Sequence, residues 1–342
     1  MFRLSWAFRT ACSALGSIVL AGAGICIGGC VNVAGITGKP KLRGHSHFDF
    51  SISPAGDKLL FTAKGRGESD LYLLHRSTSR VEPLTDSTEF EEGGAFAPDG
   101  HHVVYAASDK PGGPSHLYLL SLDGTTKQQL TADPQRYDRF PSFSPDGKRI
   151  VFARAHRERA YSMGGRTWDL WDLYAINTDG TGLKRLTNQN YYSTYPPRFT
   201  PDGKQLLFAA NPLNGTINVD LLIVPALGMN TPKPITTNGK SSAPSLSADG
   251  QQFVFISDRA VPYEYELHVM NKDGSNPVQV TQNRAYNANP LFTPNGKQIL
   301  FFSDPERDLR YTLWQVDVDG KNPHQIADEG LFDNPLAWKP RK

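Results

Sequence analysis

A tight turn recurs along this chain at nearly fixed spacing, each time closing a short apolar run. It is marked by Pro54, Pro98, Pro145, Pro201, Ala248, Pro294 and Pro340, in steps of 44, 47, 56, 47, 46 and 46 residues. The turns read SPAGDK, APDGHH, SPDGKR, TPDGKQ, SADGQQ and TPNGKQ, with a final KPRK at the chain end. A repeat of this length is one supersecondary unit used many times, so the architecture is an array of such units.

The third repeat shows what one unit contains. Phe140-Pro141-Ser142-Phe143-Ser144 is a short extended run ended by Pro145-Asp146-Gly147. Proline presets φ for the turn and glycine supplies the positive φ of a tight reversal. Arg149-Ile150-Val151-Phe152-Ala153 then reads as a buried strand, rich in β-branched and aromatic residues. Asp172 to Asn177 alternates with the period of two of a half-buried strand. Asp179-Gly180 makes a second hairpin turn, and Leu183 to Thr187 supplies a fourth, more polar strand. Second turns recur at Asp123-Gly124, Asp273-Gly274 and Asp319-Gly320, and fourth strands end in Leu84-Thr85, Leu130-Thr131, Ile235-Thr236 and Val280-Thr281.

Four antiparallel strands per unit, with no helical pattern between them, describe a propeller blade. Each blade has two apolar faces that only its neighbours can cover. The expected fold is all-β: a six-bladed β-propeller of four-stranded antiparallel blades over residues 45–342. One strand is surplus, because Phe48 to Ile52 and Leu331 to Lys339 both read as the first strand of a unit. The C-terminal copy either closes the ring beside the first blade or begins a seventh, incomplete one.

Arg3 and Arg9 precede an uncharged stretch, Thr10 to Gly29, that ends in Ile27-Gly28-Gly29-Cys30. A basic start, an apolar core and small residues before a cleavage point describe a secretory signal over residues 1–29. The ending is similar to the bacterial lipobox, in which the cysteine, here Cys30, is acylated and becomes the first residue. A plain transmembrane anchor is the other reading, since the stretch is nearly long enough to span; the many glycines and the Gly-Gly-Cys ending favour the lipoprotein. Residues 30–44 then form a short tether. Val31 stands where an aspartate commonly retains Gram-negative lipoproteins at the inner membrane, which points to the outer one.

The cysteines are Cys12, Cys26 and Cys30. After cleavage and acylation no thiol remains for a disulfide or a thiolate metal site. Without Arg3 and Arg9 the chain carries 34 basic and 34 acidic residues (36 basic less two). A net charge near zero gives no general attraction to nucleic acid.

The wording PSFSPDGKRIVFAR…DLYAINTDGTGLKRLT resembles the WD40-like repeat of TolB-type propellers, periplasmic components of the Tol–Pal envelope system. The resemblance spans about Phe48 to the C-terminus. It implies a propeller outside the cytoplasm with protein partners in the cell envelope and a part in envelope integrity or transport. The α/β domain that precedes the propeller in that family has no counterpart ahead of the repeats. Similar propellers also form the non-catalytic half of prolyl-oligopeptidase-like enzymes and, with metal-binding histidines, oligogalacturonate lyases.

Antiparallel order assigns the connections to faces. Turns between strands one and two, and three and four, share one face and are tight. The opposite face carries the connections between strands two and three and those between units, and binding residues concentrate on such variable loops. They include Asp109 to His116, Asn211 to Asp220, Arg259 to Glu264, Asp304 to Tyr311 and an insertion, Ala155 to Asp169, that holds Arg157, Arg159, Tyr161, Arg166 and Trp168. The inter-unit segments there carry Phe90, Tyr137, Tyr191, Tyr192, Tyr195, Tyr286 and Phe332, with Glu91, Glu92, Asp138, Arg139, Arg284 and Asp333 among them. Aromatic and arginine side chains dominate interface hot spots. Taken singly, each ring reads more plainly as packing between blades; as a set they read as a binding rim.

Signals for catalysis are weak. The sequence has neither a G-x-S-x-G nucleophile elbow nor an H-E-x-x-H pair. His45 and His47 alternate at the tether end and read as solvated, while His101 and His102 point to opposite faces. Glu91 and Glu92 also diverge on a strand. No metal or cofactor is implied. The reading is an envelope-tethered binding module for a protein, peptide or polymer; the alternative is a carbohydrate-active lyase or hydrolase using the central channel.

Overall fold

The computed structural model describes residues 50–64, 69–161, 165–213, 219–306 and 311–327. The leader, Cys30, the tether, His45, His47, Phe332 and the C-terminal strand lie outside them.

Among the described residues every regular element is a strand, and the strands pair in chain order. The first unit is β1 (Phe50–Ile52), β2 (Lys58–Lys64), β3 (Ser69–His75) and β4 (Arg80–Pro83). The second is β5 (Phe90–Phe96), β6 (His102–Ser108), β7 (His116–Ser121) and β8 (Lys127–Gln129). The third is β9 (Tyr137–Phe143), β10 (Arg149–Tyr161), β11 (Gly165–Asn177) and β12 (Lys184–Arg185). In the fourth, the first strand is split into β13 (Ser193–Thr194) and β14 (Arg198–Phe199), followed by β15 (Gln205–Asn211), β16 (Asp220–Pro225) and β17 (Lys233–Pro234). Then come β18 (Ser241–Leu246), β19 (Gln252–Ser257), β20 (Glu266–Asn271) and β21 (Val278–Gln279), and last β22 (Tyr286–Phe292), β23 (Gln298–Asp304), β24 (Thr312–Asp317) and β25 (His324–Ala327). Within each unit neighbours are antiparallel; the first two units also touch through one parallel pair, Ser69↔Phe90.

Period-two alternation explains why the units need one another. On β6, Val103 packs with Leu60 and Leu71 of the first unit, while Val104 packs with Phe152 and Ile150 of the third. Further apolar clusters join the third unit to the fourth and the fourth to the two that follow. A last cluster brings Phe50, Leu59 and Phe61 of the first unit against Leu300, Phe302 and Leu313 of the last. Phe50 meets Phe302 edge-on at 5.1 Å, and Arg76 Nη2 donates to Gln315 Oε1 at 2.7 Å. Burying one such side chain contributes roughly 1.5–3 kcal/mol, available only when both neighbours are present.

Apart from single parallel bridges to the preceding unit (Ser69↔Phe90, Ser115↔Tyr137, Tyr265↔Tyr286), the first strands pair on one side only, so they can hold proline, which has no ladder N–H to give. Pro141, Pro244 and Pro290 lie inside β9, β18 and β22. Each follows a residue at positive φ, Phe140 (55°), Ala243 (50°) and Asn289 (46°), and the register shifts there as in a β-bulge. Phe140 tolerates this unfavoured conformation because Arg139 stacks on its ring at 4.4 Å and the ring joins the core.

The insertion expected as a loop at Ala155 to Asp169 is instead a continuation of β10 and β11, paired in register from Arg157↔Asp169 to Tyr161↔Gly165. Its polar, arginine-rich run lacks apolar alternation because Arg157, Glu158 and Arg159 are exposed, yet the strand pairing continues.

Candidate functional site

The repeated turns hold themselves together. Ser144 Oγ donates to Asp146 Oδ1 (2.6 Å) and accepts from Arg149 N (2.9 Å), while Lys148 N donates to Asp146 Oδ1 (3.1 Å). Thr200 with Asp202 and Ser247 with Asp249 repeat the first bond at 2.6 Å, and Thr293 with Asn295 at 2.7 Å. These hydrogen bonds, led by the one from Ser144, hold the Asp146 carboxyl below its ordinary range. The residues that fix this face are thus engaged with their own backbone.

The opposite face is built on a second repeated device that the sequence hinted at only through its Leu-Thr strand endings. The threonine hydroxyl after the fourth strand accepts the backbone N–H of a leucine in the third strand. The bonds are Leu71 N to Thr85 (2.8 Å), Leu117 N to Thr131 (2.9 Å), Leu173 N to Thr187 (2.9 Å), Leu221 N to Thr236 (3.0 Å) and Leu267 N to Thr281 (2.9 Å). Three of these hydroxyls donate in turn to the acid just before that leucine: Thr187 to Asp172 (2.6 Å), Thr236 to Asp220 (2.9 Å) and Thr281 to Glu266 (2.5 Å). The same carboxylates accept backbone N–H groups of the inter-unit segment, from Gln189 (2.8 Å), Gly239 (3.0 Å) and Arg284 (2.8 Å). The latch ties the segments that carry the rim to the sheet beneath.

Glu91 belongs to this device. It is fully buried; Thr85 Oγ1 donates to its Oε2, Ser87 Oγ to its Oε1 (3.0 Å) and Leu71 N to its Oε2 (3.2 Å). Burial raises its carboxyl to about 7, against the hydrogen bonds from Thr85 and Ser87 and with help from neighbouring Asp70. Glu92 turns the other way, towards the third unit, as strand alternation requires. It accepts from Tyr137 Oη at 2.9 Å and pairs with Arg139 Nε at 2.9 Å.

Around that pair the structure gathers a group of the expected rim residues. Tyr137 stacks on Trp168 (5.5 Å) and meets Trp171 edge-on (5.9 Å), while Trp168 Nε1 donates to Gly112 O (3.0 Å) in the second unit. Glu92, Tyr137, Arg139 and Trp168 therefore form one cluster across the second and third units. Trp171 and Phe140 complete it; their roles are legible only once the bulge and the long hairpin are known. Beneath it, Arg154 is bidentate to Asp138 (2.6 and 2.8 Å), and both side chains are buried.

The remaining rim residues are dispersed. Tyr191 is buried, meets Phe208 edge-on at 5.9 Å and exchanges backbone hydrogen bonds with Trp171. Tyr192 is half-buried, with its N–H on Asn211 O (2.9 Å), and Tyr195 is in the apolar cluster of the fourth and fifth units. Tyr286, half-buried, lies 6.3 Å from Tyr265; Arg284 is exposed at φ 55°, and Phe90 is half-buried at the start of β5. Among the described residues no three His, Cys, Asp or Glu side chains converge as a metal set.

The sequence matches the TolB beta propeller domain over residues 41–170 and 166–342. It is 26% identical over 229 residues to the Tol-Pal system protein TolB of Francisella tularensis subsp. holarctica, covering 66% of this chain and 48% of that protein. The chain thus spans about half the length of the curated relatives it matches. Its fold is shared with the TolB crystal structure from Acinetobacter baumannii (TM-score 0.60, 21% identity, 80% of this chain and 61% of that one). It is equally shared with an oligogalacturonate lyase solved in complex with manganese (TM-score 0.60, 15% identity, 82% and 76%). Repeated turns, self-covering sheet faces and the match along nearly all of the repeat region agree: the chain belongs to the TolB beta propeller domain family.

Proposed function

We propose that the protein is a six-bladed propeller, held at the periplasmic face of a bacterial membrane by acylated Cys30. The outer membrane is preferred, from Val31. There it binds a protein, peptide or envelope polymer through its loop-rich face, in a Tol–Pal-like part in envelope integrity or transport. No chemistry and no cofactor are assigned to it.

One observation carries this reading. The two faces are built differently: the turn face repeats one self-satisfied motif, whereas the loop-rich face presents different connections from unit to unit. On that face Phe90, Tyr286 and Arg284 remain at least partly exposed, and aromatic and arginine groups are those that anchor interfaces. A lyase or hydrolase in the central channel gains nothing from the likeness to oligogalacturonate lyase, since TolB shares that fold equally.

The test is affinity purification from envelopes with Phe90, Arg284 and Tyr286 replaced together by alanine. Tyr137 and Tyr195 are unsuitable because their loss would open the core. The co-purifying proteins are expected to be lost while thermal stability is kept; an unchanged set would refute the loop-face reading.

A further inference from the structure

Three arginines near the loop-rich face meet carboxylates: Arg139 with Glu92 at 2.9 Å, Arg154 with Asp138 at 2.6 Å and Arg185 with Asp172 at 2.6 Å. Arg259, just past the end of β19, is held differently. Half-buried, it donates from Nε to Ser257 Oγ (3.2 Å) and from Nη2 to Ser241 Oγ (3.1 Å). Its guanidinium lies over the Phe255 ring at 5.0 Å. Among the described residues no acid offsets its charge, and burial alone acts on the group, lowering its pKa. A cation withdrawn from water without a counter-charge is costly, so the site favours an anion that arrives from outside.

Both serines are buried and oppose each other where β18 begins and β19 ends. Ser257 Oγ donates to the Lys240 carbonyl (2.5 Å) and Ser241 Oγ to Asn238 Oδ1 (3.4 Å), so each turns a lone pair to the guanidinium. A guanidinium has five N–H groups. Two are engaged here, and those left include the end-on pair on Nη1 and Nη2 that a carboxylate can bridge. The connection that follows carries a strained turn. Glu264 N donates to Val261 O (3.1 Å) across Pro262 and Tyr263, and Tyr263 stands at φ 67°, where such a turn ordinarily takes glycine. Asp258 Oδ2 accepts the Tyr263 N–H (3.1 Å) and fixes the corner. Val261 is left 46% exposed and Tyr263 55%. Strain of this kind clusters where a group is presented for binding.

We propose that Arg259 anchors a single carboxylate of a protein partner, with an apolar side chain next to that carboxylate packing on Val261 and Tyr263. One guanidinium, positioned by two buried hydroxyls, matches the one charge of an aspartate or glutamate side chain. An anionic lipid surface is instead held by several clustered cations, and this loop sets Asp258 and Glu264 around its one arginine. The charge-assisted pair gives specificity, and the tyrosine and valine supply contact area that is already in place before binding. The proposal rests on the loop-rich face being the binding face and adds the chemistry of the partner.

The test uses the full chain in detergent and a rhodamine-labelled hexapeptide, glycine-leucine-glutamate-leucine-glycine-serine, amidated so that glutamate is its one acid; anisotropy follows binding. A second peptide has glutamine in place of the glutamate. Wild type is expected to bind the glutamate peptide about tenfold more tightly than the glutamine one, whereas Arg259→Gln should bind the two alike. The thermal midpoint of Arg259→Gln should hold or rise, because a half-buried cation without a counter-charge is gone. Tyr263→Gly is expected to weaken the glutamate peptide about fivefold without lowering the midpoint, since glycine relieves the positive φ. Equal binding of the two peptides by wild type, or wild-type affinity for the glutamate peptide in Arg259→Gln, overturns the proposal. So does Arg259-dependent binding of phosphatidylglycerol vesicles without binding of the peptide, which would make the loop a membrane contact. If Arg259→Gln still captures the envelope partners that the Phe90, Arg284 and Tyr286 variant loses, the Arg259 assignment fails and the loop-face reading stands.

Discussion

In the third unit the carboxylate of Asp172 accepts the Thr187 hydroxyl and two backbone N–H groups, and Arg185 Nη2 donates to it at 2.6 Å. In the first unit the equivalent hydroxyl, Thr85, faces Glu91, with Asp70 beside it, and Lys127, the cation that acts on it, is itself bound to Glu89 at 2.7 Å. One backbone arrangement is thus completed by a guanidinium in one place and favours a proton in the other. The backbone geometry of the repeat is set by hydroxyl and N–H groups; the charge balance of each latch is set separately by its neighbours.

The largest effect is expected where the third unit depends on a buried charge pair. Asp138→Ala leaves the buried Arg154 guanidinium without its bidentate partner and should cost about 3–5 kcal/mol. Urea denaturation measures this directly, and a loss below about 1 kcal/mol would mean that water solvates the site.

The first unit should instead reveal itself through pH. The Glu91 carboxyl is raised from 4.5 to about 7 on folding. Its protonation therefore stabilises the fold fully below about pH 4.5, and that stabilisation is lost as pH rises to 7. The loss should be on the order of 2–3 kcal/mol. Glu91→Gln keeps the shape and removes the titration, so its stability should be flatter over that window. Parallel wild-type and variant curves would place the charge elsewhere.

Thr187→Val removes one hydroxyl that both accepts and donates, and should cost about 1–3 kcal/mol by leaving Leu173 N–H and one Asp172 oxygen under-satisfied. Thr85→Val should share the first loss but also shift the pH dependence. Equal pH profiles for the two variants would erase the distinction between the latches. The smallest change is expected on the turn face, where Ser144→Ala should cost about 1 kcal/mol, since the Asp146 carboxylate it bonds is exposed and water can replace that bond.

How much of this could be read from residues alone depends on the range of the interaction. The SPDG turns are legible because Ser144, Asp146 and Gly147 settle one another within four residues. The Leu-Thr endings are visible, but not what Thr187 does, since Asp172 lies 15 residues away and meets it only when the third and fourth strands align. The bulge at Phe140 carries no glycine to announce it. The extension of β10 and β11 past Ala155 escaped notice because Arg157, Glu158 and Arg159, exposed in succession, carry no apolar alternation. Glu91 and Glu92 show the limit most plainly. Alternation predicts that they diverge, while the different destinations, a latch in the first unit and a tyrosine–arginine cluster in the third, come from the packing of whole units.

The central proposal is that one face of the propeller is for binding and the other for its own stability. Photo-crosslinking in intact cells tests it most directly, with the crosslinker placed in turn at Lys110, Tyr263 and Arg284 on the loop-rich face and at Lys148, Lys204 and Lys297 on the turn face. All six positions are exposed. The account predicts discrete adducts from the first three positions and none from the last three; adducts from the turn face alone would contradict it.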